Sequence, residues 1–109
     1  MSIELTGIAA SDGEAYAPAR WIETDADLEQ FQSGEILLAR MTSPDWGTVF
    51  DRAAAVATME GGMLCHAALV ARESGIPAVV GLGAGLRDII TGSMVRVDGS
   101  EGLVVGGSE

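Results

Sequence analysis

A chain of 109 residues is long enough for one hydrophobic core and too short to add a nucleotide-binding domain or a substrate barrel, so residues 1–109 are expected to form a single domain. Hydrophobic residues make up 48% of it, which argues against a disordered acidic tail, and 16 acidic against 6 basic residues give a net charge of −10 that disfavours nucleic acid and anionic lipid as partners. No apolar run could cross a bilayer, the N-terminus lacks a signal-peptide pattern, and the lone Cys65 cannot form an intrachain disulfide, so a cytoplasmic protein without membrane contact is expected.

Leu5 to Ala10 and Tyr16 to Ile22 read as strands separated by the turn signal Ser11-Asp12-Gly13, either as a hairpin or as two edge strands. Thr24 is placed to cap a short helix over Asp25 to Phe31, with acidic residues in its first turn and Gly34 past its end. Glu35 to Arg40 is a compact apolar run that fits a buried strand. In Thr42-Ser43-Pro44-Asp45, the hydroxyls and the proline predict a helix over about Asp45 to Arg52.

Ala53 to Thr58 is a second buried strand candidate, although its alanines also suit a helix. Cys65 to Ser74 predicts a helix closed by Gly75 with Pro77 beyond, and Ala78 to Val80 returns as a strand. A glycine-rich connection over Gly81 to Gly85 leads to a helical turn at Leu86 to Ile90. Ser93 to Val97 and Gly102 to Val105 then form a terminal hairpin around Asp98-Gly99-Ser100-Glu101. The alternation in the middle of the chain predicts an α/β domain with a mainly parallel central sheet.

The strongest candidate nucleophile near neutral pH is His66, the only histidine in a chain with no lysine and one cysteine. It lies between Gly61-Gly62 and the first turn of a predicted helix, where unpaired backbone N–H groups can receive an anion such as a phosphoryl group. Glycines at 61 and 62 would let a substrate or another domain approach the backbone closely. A neutral imidazole nitrogen can attack phosphorus when its other nitrogen is hydrogen-bonded in the required tautomer.

Arg72 follows six residues later, roughly 120° around the helix from His66, so a salt bridge that fixes the helix to a neighbouring element is at least as good a reading as a phosphate clamp. A metal site is disfavoured because Cys65 and His66 are adjacent and no second histidine or cysteine exists. Adjacent helical side chains also diverge, which argues against a Cys65–His66 nucleophilic pair. Met59 and Met63 read as packing residues, or as an apolar collar limiting water at the site.

The segment Thr58-x-x-Gly61-Gly62-x-x-Cys65-His66-Ala67-Ala68-Leu69-x-Ala71-Arg72-Glu73-x-Gly75-Ile76-Pro77-Ala78-Val79-Val80-Gly81 resembles the phosphohistidine signature of the PEP-utilising enzymes, among them PEP synthase, pyruvate phosphate dikinase, rifampin phosphotransferase and enzyme I. The likeness extends upstream through Gly34 to Ala39 and Thr42-x-Pro44-Asp45, and downstream to Gly102. Gly7 to Gly13 is similar to the start of related swivelling domains.

The resemblance implies a mobile, swivelling β/β/α domain whose His66 carries a phosphoryl group between distant sites. It implies partners in an ATP-grasp nucleotide-binding domain and a PEP- or pyruvate-binding domain, with Mg²⁺ held there and no cofactor bound by this chain. By itself the chain would then turn over no substrate. Gly61 and Gly62 would form the loop at the histidine and Thr58 would supply an orienting hydroxyl. Leu64 departs from the threonine that many of these enzymes carry, and Cys65 resembles the variant found in PEP synthases. The competing reading is a non-catalytic module that kept the swivelling fold and binds an anion or a partner protein.

Overall fold

The computed structural model describes residues 2–46 and 48–107. Eight strands, β1 (Ser2–Thr6), β2 (Ile8–Ser11), β3 (Glu14–Trp21), β4 (Ile36–Ala39), β5 (Ala55–Thr58), β6 (Ala78–Val80), β7 (Met94–Asp98) and β8 (Leu103–Gly107), form one sheet in the order β1-β8-β7-β3-β4-β5-β6-β2. The inner strands β3 to β6 run parallel, and the flanking pairings are antiparallel. The sheet is therefore mixed, with its parallel part at the centre.

β4, β5 and β6 are buried at every position. Leu37, Ala39, Val56, Ala78 and Val80 pack toward the helices, whereas Ile36, Leu38, Ala55, Ala57 and Val79 pack against the second half of the sheet. Burial on both faces explains the apolar runs of these strands, interrupted only by Thr58 at the end of β5, since neither face needs polar residues. The result is three layers: β1, β8, β7 and the start of β3; then the remaining strands; then the helices.

β3 belongs to both sheet layers, pairing with β7 through Glu14–Pro18 and with β4 through Ala19–Trp21. Tyr16 to Ile22 is thus neither half of a hairpin with β2 nor an edge strand. Pro18 stands where the pairing changes sides, a place that tolerates a residue without an N–H. β1 and β2 lie at opposite ends of the strand order although only Gly7 separates them, so the sheet folds back until its edges meet. At the seam the Gly7 N–H donates to the Gly102 carbonyl at 2.9 Å, and a Cβ on Gly7 would stand 2.6 Å from the Val80 carbonyl oxygen.

Helix α1 (Asp25–Gln30) begins with a capping box: Thr24 Oγ1 accepts from the Asp27 N–H, and Asp27 accepts from the Thr24 N–H. The predicted helix over 45–52 is instead a 3₁₀ turn at Pro44–Trp46 and a short helix α2 (Val49–Arg52). Helix α3 (His66–Ser74) ends at Gly75 in the left-handed conformation. A further 3₁₀ turn covers Ala84–Asp88. Among the described residues no helix is long and apolar enough to cross a membrane.

Glu35, just before β4, is gripped bidentately by Arg20 of β3 at 2.7 and 3.0 Å and also accepts the Gln32 N–H. Burial pushes its carboxyl up, but the Arg20 hydrogen bond, the Gln32 N–H and the Arg20 charge together hold it below the ordinary range. A carboxylate depressed in the folded state stabilises the fold above its unfolded pKa and loses that contribution as the pH falls. Denaturant melts are therefore expected to show stability dropping as the pH falls through and below about 4.3. In Glu35→Gln that acid-side drop is expected to be smaller, and an unchanged pH profile would contradict the assignment.

Candidate functional site

The site lies where β4, β5 and β6 run out and α3 begins. Thr58, fully buried at the end of β5, donates its hydroxyl to the Glu60 carbonyl at 2.7 Å and fixes the start of the loop. Gly61 follows with φ of +121°, and a Cβ there would stand 2.7 Å from Cys65 Sγ, so the glycine lets the sulfur tuck beneath the loop. Gly62 has ordinary φ and nothing within 4 Å of its missing Cβ, which leaves the space above it open. The Cys65 N–H then donates to the Gly62 carbonyl at 3.1 Å, turning the chain into α3.

His66 is the first residue of α3. Its cap, Cys65, makes no side-chain hydrogen bond to the helix, and the first turn holds no acidic residue. The half-buried imidazole meets the edge of Phe50 of α2, ring centroids 5.7 Å apart and planes at 81°. Its Nδ1 lies 2.7 Å from Thr42 Oγ1, and Thr42 is only 8% exposed. Either ring tautomer satisfies that bond, but only the Nδ1–H tautomer leaves a lone pair on Nε2.

A recess of about 60 Å³ at the ring is lined by Thr42, Thr58, Glu60, Gly61 and Cys65 among others. Met41 and Thr42 also line an adjoining open cleft of about 370 Å³, together with Arg40, Ser43, Trp46 and Arg87. Exposed apolar side chains stand around the loop: Met41, Met63 and, at 81% exposure, Leu64. No three His, Cys, Asp or Glu side chains gather as a metal site among the described residues.

The structure thus gathers Thr58, Gly61, Cys65 and His66 about one recess and leaves Arg72 facing elsewhere. Arg72 Nε donates to the Ala10 carbonyl at 2.7 Å and its Nη2 to the Met63 carbonyl at 2.6 Å, tying helix, β2 and glycine loop together. It fixes the helix to neighbouring elements through carbonyls, and among the described residues through no ion pair, where the sequence suggested a salt bridge. The hydroxyl bonded to the histidine belongs to Thr42, in the segment whose hydroxyls and proline predict a helix start, while the Thr58 hydroxyl is spent on its own loop. Only the three-dimensional return of the chain after β4 reveals this, because Thr42 and His66 are 24 positions apart.

The profile of the family described as PEP-utilising enzyme, mobile domain, matches residues 31–102. A probable phosphoenolpyruvate synthase of Archaeoglobus fulgidus is 43% identical over 105 residues, covering 96% of this chain and 14% of that protein. The chain therefore spans about a seventh of the length of that relative. Among solved structures, the solution structure of an enzyme I protein superposes with a TM-score of 0.61 at 34% identity, covering 75% of this chain and 34% of the other. Aconitase X of Thermococcus kodakaraensis superposes with a TM-score of 0.74 at 24% identity over 97% of this chain and 99% of the other, a likeness of fold alone.

Proposed function

We propose, for a chain that belongs to the PEP-utilising enzyme mobile-domain family, that His66 is a transient phosphoryl carrier between sites on other domains. The observation that carries this reading is the 2.7 Å contact between His66 Nδ1 and the buried Thr42 hydroxyl at the head of α3. With the proton on Nδ1 and Thr42 accepting it, the Nε2 lone pair attacks phosphorus. The Nε2–P bond forms as the P–O bond to the donor breaks, and the donor oxygen keeps the electron pair. The Nδ1 proton stays on the ring against Thr42. Transfer onward reverses these steps, with an acceptor oxygen forming the new bond to phosphorus.

Other features support the same reading. The first turn of α3 presents backbone N–H groups with no acidic side chain competing for them, which favours a phosphoryl group nearby. Open space over Gly62 and the exposed Met41, Met63 and Leu64 suit a partner surface that closes over the ring and keeps water from the phosphoryl group. Because the chain covers so little of its relative, donor and acceptor sites are assigned to a nucleotide-binding and a PEP- or pyruvate-binding domain elsewhere.

Incubation with phosphoenolpyruvate or ATP in the presence of the cognate domains is expected to add one phosphoryl group, acid-labile and located on Nε2. Intact-mass measurement and ³¹P NMR read both properties. A chain that stays unmodified with every donor and cognate partner overturns the carrier reading and leaves a module that merely kept the fold.

A further inference from the structure

The site contains one ion pair that the chemistry above does not use. Arg40 and Glu60 prolong β4 and β5 by one and two residues, and the Glu60 N–H donates to the Arg40 carbonyl at 2.9 Å. Their side chains meet as well, Arg40 Nη1 lying 2.7 Å from Glu60 Oε2, with both about half exposed. Glu60 lines the recess of His66, Arg40 lines the adjoining cleft, and Thr42 lines both. A carboxylate thus shares the recess with the ring, and its counter-charge stands at the rim.

Each of the other five arginines makes at least two side-chain contacts among the described residues. Arg20 holds Glu35 bidentately, Arg52 lays its guanidinium over the Phe31 ring as well as bonding the Phe31 carbonyl, and Arg72 donates to two carbonyls. Arg87 lies over the Trp21 ring while paired with Glu23, and Arg96 stands between Glu14 and Asp98. Among the described residues the Arg40 side chain has a single hydrogen-bond partner, in an exposed pair of the kind that holds weakly in water, and about 370 Å³ of open cleft in which to move.

We propose that Arg40 and Glu60 form a charge gate for the phosphoryl group on His66, an inference that rests on the carrier reading above. When the group arrives, the Arg40 guanidinium leaves the monoanionic carboxylate for the phosphoryl oxygens, whose charge and geometry match its donor fork better. Glu60, now unpaired in the same recess, repels the bound group. Arg40 favours loading and Glu60 favours release, so the pair sets how readily His66 takes up and gives away its cargo.

Phosphoramidate, a small phosphoryl donor that needs no partner domain, tests this on the isolated chain. Labelling followed by intact mass is expected to be about tenfold slower in Arg40→Met and several-fold faster in Glu60→Gln, with Arg40→Lys between Arg40→Met and the unaltered chain. The ³¹P resonance of the phosphorylated chain is expected to move in Arg40→Met, which a purely structural role of the pair would not produce. These differences shrink at 1 M salt, where the screening length falls to about 3 Å. Unchanged labelling in Glu60→Gln, or a change of the same sign in Glu60→Gln and Arg40→Met, overturns the gate. An unaltered chain that never labels at His66 instead overturns the carrier reading, so the two failures are distinct.

Discussion

A chain carrying His66→Gln is expected to take up no phosphoryl group where the unaltered chain labels fully, and Thr42→Val to label roughly 5- to 150-fold more slowly. The first result follows from elimination, since the chain has no other histidine and no lysine, and its one cysteine is tucked under the Gly61 loop. The second follows from the tautomer. Valine keeps the shape of threonine in a nearly closed position, so the fold is retained while the Nδ1 partner is lost. Losing a hydrogen bond at a buried group costs about 1–3 kcal/mol, and each 1.36 kcal/mol on a barrier is about tenfold in rate. Nitrogen-15 NMR of the His66 ring should show the Nδ1–H population falling in step with the rate. Labelling of Thr42→Val at the unaltered rate means the hydroxyl does not select the reactive nitrogen.

The largest effect on stability is expected at a position far from the chemistry. A Cβ on Gly99, in the turn between β7 and β8, would stand 1.8 Å from the Ser11 carbonyl oxygen and 2.9 Å from the Ala78 backbone nitrogen. Both neighbours are backbone, held by β2 pairing with β6, so neither can rotate away as a side chain would. Gly99→Ala must separate the hairpin turn from the sheet edge, at a cost of about 3 kcal/mol or more, which corresponds to a fall in Tm of roughly 12–24 °C. Gly62→Ala is the matched control, because its Cβ meets nothing and its φ is ordinary. Thermal melts of the two variants should differ widely, and equal melting temperatures would remove the close-approach argument.

The elements most readable from sequence were those whose own residues carry the signal. Ile36–Ala39 and Ala78–Val80 are apolar throughout because they are buried on both faces, and α3 ends where Gly75 stops it, whereas Ala55–Thr58, whose alanines also suit a helix, is fixed as a strand by its pairing with β4 and β6. Pairing was not readable in the same way. The pattern of Glu14–Trp21 reports which positions are buried, not that β7 lies beside one end and β4 beside the other. A similar limit hid the site's hydroxyl: Thr42-Ser43-Pro44 looks like a helix start, and a local motif cannot report that Thr42 faces an imidazole from another element. The histidine and its glycine loop were legible because they are contiguous. Thr42, Arg40 and Glu60 were not, because β4 and β5 bring them to one place only when paired side by side.

The meeting of β1 with β8 has a mechanical consequence. Ser2 stands opposite Gly107 in the antiparallel register, which puts the two ends of the described chain roughly 5 Å apart. A longer polypeptide that runs through this unit would enter and leave by one doorway, as two cords tied to a single ring. Such a unit could twist on its suspension without stretching either cord, and the length and stiffness of those cords would set how far it swings.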